Sequence, residues 1–274
     1  MLICIPNLSM PKEATLLYLT ETTVNDLDAR TKLYVLCLGM VHLILERELG
    51  TTCDIRLFRQ IGIVASFIDE HLDDLNLDEK RVLQVSFDKL FKEIIECTTF
   101  PKFQQIVCTY VETNNLNFEC SKLNISELFL FIEHCKKNDL AEMLGDFGKQ
   151  IIDCSIKKQQ VNTTRQVRKL LKIEGALVCS LLENLLRKEH LANLKFCNTM
   201  ALLVECEQIL NLADDSLDAF EDKAQNTIAV NYSTLHGVKM LGYLGKQLLK
   251  TFAYFPFKFA YYTPNLINYY LKNK

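Results

Sequence analysis

Apolar residues recur at steps of three and four through most of this chain, the spacing that lines up one face of an α-helix. The clearest case covers Ile55 to Asp74, where Ile55, Phe58, Ile61, Val64 or Ala65, and Ile68 form one stripe. Asn76 and Asp78 interrupt it and cap the next helix, DEKRVLQVSFDKLFKEIIE, with Asp78 read as the N-cap residue. Pro101 marks a connection, a helix starts at about Lys102, and NNLNFECSKLN reads as a loop. Ser126 to Lys137 and Asp139 to Lys158 predict two further helices. Asn162-Thr163-Thr164 is a capping signal for RQVRKLLKIEGALVCSLLENLLRKEH, in which Gly175 marks a kink or a close approach. Further helices are predicted from Ala192 through Asp222 and from Thr234 to Phe252.

No proline interrupts the chain between Pro11 and Pro101 or between Pro101 and Pro256, which favours helices over a turn-rich β fold. With 274 residues, 49% of them hydrophobic, one large core can be buried. There is no internal repeat, low-complexity tract or linker. The expected fold is therefore all-α, one domain over residues 1–274 with an aromatic C-terminal segment at 252–274.

The formal net charge of −3 offers no excess of positive charge for nucleic acid; the basic patch from Lys157 to Lys172 is too short to change that. The 11 cysteines are odd in number and form no CxxC pair, so they read as small buried hydrophobes in a reducing compartment. MLICIPNLSMPKEA lacks the basic and apolar regions of a signal peptide. The apolar run Leu33 to Leu45 is too short to cross a bilayer. The expected location is the cytoplasm.

Two acidic clusters carry the candidate chemistry. The first, Asp69-Glu70-His71-Leu72-Asp73-Asp74, ends an apolar helix, with Asp69 and Asp73 stacked on one face. Like charges at that spacing repel, and at a helix C-terminus each exposed anion costs about 0.3–1 kcal/mol. A divalent cation would remove the conflict. In the second, Asp214, Asp218 and Asp222 form a ridge with Asp215 and Glu221 beside it. Upstream, Met200 to Leu212 is apolar apart from Glu205, Glu207, Gln208 and Asn211, so this helix is expected to run through the interior. Carboxylate oxygens suit Mg²⁺, which commonly bridges carboxylates to substrate phosphates. Facing carboxylate ridges can clamp a diphosphate and stabilise it as a leaving group. The bland counterpart is a pair of solvated helix ends.

The two motifs resemble those of the class I isoprenoid (terpenoid) synthases. Asp69-Glu70-x-x-Asp73-Asp74 resembles their aspartate-rich DDxxD or DxxxD motif. Asp214-Asp215-x-x-Asp218-x-x-x-Asp222 resembles the second motif, (N/D)DxxSxxxE, with aspartate replacing the serine and the final glutamate. LDAFEDK also resembles the second motif of the squalene and phytoene synthases and of the tetraprenyl-β-curcumene synthase group, an alignment that leaves Asp218 and Asp222 as the ligand pair. SFIDEHLD is similar to the first motif of that last group. The glycine-arginine run that follows the second motif in squalene and phytoene synthases is replaced here by Lys223-Ala224-Gln225-Asn226.

The resemblance implies an antiparallel helical bundle around a central cavity and a set of magnesium ions, three in number, held by Asp69, Asp73, Asp214, Asp218 and Asp222. Arg168 stands where microbial terpene synthases carry an arginine that senses diphosphate, with Arg165 and Lys169 as substitutes; Lys223 joins Arg165 and Arg168 as a diphosphate-binding candidate. The implied reaction is ionisation of an allylic prenyl diphosphate with release of pyrophosphate, by a terpene synthase or cyclase. Head-to-head prenyl coupling of the squalene/phytoene type is the alternative within the superfamily. Phe58, Phe67, Phe87, Phe91, Phe129 and Phe131 are available to stabilise a carbocation, although aromatics at helical spacing are usually core.

A different class of reading is a non-catalytic helical interaction protein, with monomer and homodimer both open. Nine of the 26 aromatics lie between Phe252 and Tyr270, with Lys258, Lys272 and Lys274 among or after them. Such a segment suits peripheral contact with a membrane, a lid, or ordinary packing.

Overall fold

The computed structural model describes residues 27–49, 54–116, 122–190, 194–225 and 234–258; side chains at some helical positions, 213–225 among them, lie outside this description. The described residues form helices α1 (Ala29–Leu49), α2 (Ile55–Asp74), α3 (Leu77–Glu96), α4 (Phe100–Thr113), α5 (Lys122–Lys137), α6 (Ala141–Gln160), α7 (Thr164–His190), α8 (Leu194–Gln225) and α9 (Thr234–Tyr254), with no strand among them. The all-α expectation therefore holds.

Local signals explain most boundaries. The Asn76 side chain accepts from the backbone N–H groups of Asp78 and Glu79, while Glu79 reaches back to the Asn76 N–H. This capping box corrects the sequence expectation: Asn76, not Asp78, is the N-cap of α3, because only its oxygen stands ahead of the free N–H groups. Pro101 lies inside the first turn of α4, where its missing N–H costs nothing. α6 begins at Ala141 because Asp139 adopts a positive φ of 57° that ends the preceding segment. Thr163 Oγ1 accepts from the Gln166 N–H and donates to its side chain, capping α7 as the sequence suggested.

Five helices close a ring in the order α1, α2, α6, α7, α8 and back to α1, with α9 outside α7 and α8, and α3, α4 and α5 outside α2 and α6. Specific contacts give the directions. Thr31 meets Ser66 and His42 meets Phe58, so α1 and α2 are antiparallel. Gly175 meets Glu207, whereas Val167 and Leu171 meet Leu212, so α7 and α8 are antiparallel. Leu72 packs on Ile152 and Ile156, which aligns the C-terminal ends of α2 and α6. Thus α2, α6 and α8 run one way, and α1, α7 and α9 run the other.

The main core fills one end of the ring, where Phe58, Ile61 and Val64 of α2 pack with Leu45, Phe131, Leu182, Met200 and Leu203. Gly62 has the backbone of Val35 2.8 Å from the position of an added Cβ, so α1 and α2 are in direct backbone contact there. Burying a leucine or phenylalanine of this kind contributes about 1.5–3 kcal/mol. Of the described cysteines, Cys97, Cys135, Cys154, Cys179 and Cys206 are buried thiols, as expected for small hydrophobes. No described helix is long and apolar enough to cross a membrane.

Candidate functional site

The opposite end of the ring is polar. It gathers the N-termini of α1, α3 and α7 and the C-terminal ends of α2, α6 and α8. Asp28 caps α1 through the N–H and hydroxyl of Thr31, at 2.8 and 2.6 Å. One turn on, the Tyr34 hydroxyl donates to Asp69 Oδ2 at 2.5 Å. Asp69 and Asp73 are half-buried and Asp74 is exposed. His71 is buried edge-on against Phe67, with ring centroids 4.5 Å apart.

A run of charged side chains leads from this first motif across the ring. Lys80, in the first turn of α3, is buried, 1% exposed. Burial pushes its ammonium down to about 8, a shift opposed by the negative charges of Asp73, Glu174 and Asp69 and reinforced by Lys158. Lys158 of α6 pairs with Glu174 of α7 at 2.7 Å. Beyond that pair lies Glu207 of α8, whose Oε1 accepts from Asn211 Nδ2 at 2.5 Å while Oε2 has no hydrogen-bond partner among the described residues. Burial pushes the Glu207 carboxyl up to about 8; the Asn211 hydrogen bond opposes that shift, Glu174 adds to it and Lys158 opposes it. A carboxyl with that environment is mostly protonated near neutral pH.

Two arrangements were not foreseen from the sequence. Lys80 places a buried positive charge near the Asp69–Asp73 pair. Its signal was legible, because it falls on the apolar stripe Leu77, Leu83, Phe87, Phe91 of α3 rather than on the polar face. Glu207 was visible as an acid inside an apolar helix, without any indication of its partner. Gly175 resolves the choice left open for it: α7 continues unbroken through the glycine, which is a close approach and not a kink.

Arg168 lies on another face of α7. Its guanidinium stacks over the Tyr243 ring of α9 at 4.4 Å. It also lines a void of about 10 Å³ with Lys172, Gln208 and Asn211. Arg165 and Lys169 are exposed. Lys172 is held below its usual range by burial and by the neighbouring Arg168 and Lys250 charges. Glu205 anchors this side, accepting from Gln247 at 2.5 Å and pairing with Lys250 at 2.6 Å. The structure thus joins Asp69 and Asp73 to Lys80, and joins Arg168 to α9 and to the Gln208–Asn211 stretch of α8.

Asp214, Asp218, Asp222 and Lys223 belong to the last turns of α8, and their side chains lie outside the described ones. Continued along the backbone, the α7/α8 register sets Asp214 level with Arg168 and Asp218 level with Thr164. Among the described residues, no three His, Cys, Asp or Glu side chains gather as a metal site. A depression of about 300 Å³ opens between α3 and α6, lined by Phe87, Asp88, Lys149 and Asp153 among others, outside the ring. Phe87 and Phe91 pack on Gly148 and Gly145 at that outer interface, and Phe129 packs on Phe100 and Phe103. Of the six phenylalanines named from the sequence, Phe58 and Phe67 of α2 are buried on a helix of the ring, and Phe131 of α5 is buried in the main core. Comparison of the chain with protein-family models, with characterised proteins and with solved structures finds no match.

Proposed function

We propose that this protein is a magnesium-dependent class I terpene synthase or cyclase, which ionises an allylic prenyl diphosphate and releases pyrophosphate. The observation that carries the reading is directional: α2 and α8 end at the same end of one helical ring, and each brings its acidic motif there. Asp69 and Asp73 are half-buried hard oxygen donors, chemically suited to magnesium. With Asp214, Asp218 and Asp222 from the other wall they would hold the ions, which supply positive charge against a leaving diphosphate. Tyr34 would orient Asp69; Arg168, stacked on Tyr243 of α9, would have to swing off that ring to meet the diphosphate from α7. The buried apolar side chains of Phe58, Val64 and Phe67 on α2 would exclude water from the prenyl chain.

The test is incubation of the purified protein with Mg²⁺ and prenyl diphosphates of graded chain length, measuring pyrophosphate and extracting hydrocarbon products. Release of pyrophosphate that falls about a hundredfold in Asp69→Ala and in Asp218→Ala is the expected result. Pyrophosphate release unchanged by both substitutions overturns the proposal.

One observation favours a non-catalytic reading. Lys80 already offers a buried positive charge to Asp69 and Asp73, so the first cluster has a counter-ion of its own. Under that reading the polar end is a structural network, and Asp69→Ala alters stability alone.

A further inference from the structure

α9 covers α7 and α8 with Met240, Tyr243, Leu244, Gln247 and Thr251. Its opposite face is also apolar, which is unusual for the outermost helix of a bundle. Val238, Leu241 and Leu249 are 57–72% exposed and follow one another at helical spacing over about 16 Å. Gly242 and Gly245 lie between them, and a Cβ on either meets no atom within 4 Å. Among the described residues the stripe is therefore smooth, open and without a charged residue. Scattered surface hydrophobes need no explanation, but a contiguous stripe does.

The margin of this stripe is basic. Lys239 and Lys246 are exposed along the edge of α9 that faces α7. Arg165 and Lys169 are exposed on α7, and Arg168 and Lys172 lie in the groove between the two helices. Burial is the main reason that the Lys172 ammonium is held low; Arg168, Lys250 and Lys246 add to it and Glu205 opposes it. An apolar face bordered by cations is the pattern of a helix that lies in an anionic lipid interface. A second copy of this chain fits less well. α9 contains no acidic residue, so a symmetric pairing of this face would oppose lysine rows with no carboxylate from either helix.

We propose that the outward face of α9 docks on an anionic bilayer surface, with Val238, Leu241 and Leu249 entering the acyl boundary and Lys239 and Lys246 among the headgroups. This goes beyond the synthase reading and does not depend on it. The test is co-sedimentation of the full chain with phosphatidylcholine vesicles, with and without phosphatidylserine, over a salt series. Wild type is expected to bind the anionic vesicles alone and to weaken with salt. Lys239→Gln/Lys246→Gln is expected to bind about thirtyfold more weakly, at roughly one headgroup attraction lost per lysine. Leu249→Asp is expected to abolish binding with an unchanged melting temperature. Three results each overturn the proposal: no binding to anionic vesicles; binding that survives both variants; or a dimer in sedimentation velocity that Leu249→Asp dissociates without any lipid affinity, which assigns the face to a second copy.

Discussion

A Cβ atom on Gly175 would stand 1.7 Å from Oε2 of Glu207: the carboxyl group of α8 fills the notch that the glycine leaves in α7. The two helices meet through a polar group seated against backbone, and that contact ties the polar end of the ring to its core. Because Glu207 shares its surroundings with Glu174 and Lys158, the notch also joins α8 to the charged run that ends at Asp69.

Gly175→Ala tests the fit. In an exposed helix interior this substitution stabilises by about 1 kcal/mol. Here the methyl group makes the Glu207 carboxyl, the far end of a flexible side chain, turn aside and give up its Asn211 hydrogen bond, so that gain of about 1 kcal/mol is expected to be lost in urea unfolding. Gly175→Ala/Glu207→Ala is expected to be more stable than the sum of the single changes predicts, because the clash is gone. A single variant that keeps the full gain would remove the notch from the account.

Glu207 also predicts a pH dependence. Its folded-state carboxyl is raised to about 8 by burial, well above the value of an unfolded glutamate, about 4.3. Between those two values the folded protein binds more protons than the unfolded one, so stability falls as pH rises across that window and levels off above about 8. Glu207→Gln keeps the shape and removes the titration. Its unfolding free energy, followed from pH 5 to 9 (roughly the span of that window), is expected to be flatter than that of wild type, and parallel curves would count against the buried acid.

Lys80 gives a way to ask whether the first motif takes a metal. Lys80→Met retains the buried stem and deletes the charge among Asp69, Asp73 and Glu174. Leaving carboxylates without their counter-ion is expected to cost about 3 kcal/mol in the absence of divalent ions. If magnesium binds these carboxylates, adding it raises the melting temperature of the variant more than that of wild type. Equal responses of the two proteins would mean that Lys80 and a metal do not share this site.

A purely local prediction concerns the capping box. Asn76→Ala deletes the acceptor for the Asp78 and Glu79 N–H groups at the start of α3. A loss of about 1 kcal/mol is expected by thermal or urea denaturation. Asp78→Ala, at the residue that sequence alone suggested as the cap, is expected to change stability by less than half of that.

The helical stripes of α2, α3, α7 and α9 were readable because a helix writes its buried face into residues three and four apart. The capping residues of α3 and α7 were within two positions of their expected places for the same reason. Lys80, Glu174 and Lys158 escaped notice because a charged residue next to other charged residues reads as solvated surface, even where, as at Lys80, it falls on an apolar stripe. Whether it is buried depends on α6 and α7, whose residues lie some 80 to 90 positions along the chain.

By itself, then, the amino-acid order determined that this protein is helical, where most helices start and stop, and that two of them end in acid. Those properties follow from hydrogen bonding and side-chain spacing within a few residues. The tertiary structure alone decided that the acidic ends point the same way, that a lysine sits among the first group of carboxylates, and that Glu207 loses its water against Gly175. Desolvation and charge pairing depend on what surrounds a group in space, and neighbours brought from distant segments set that environment.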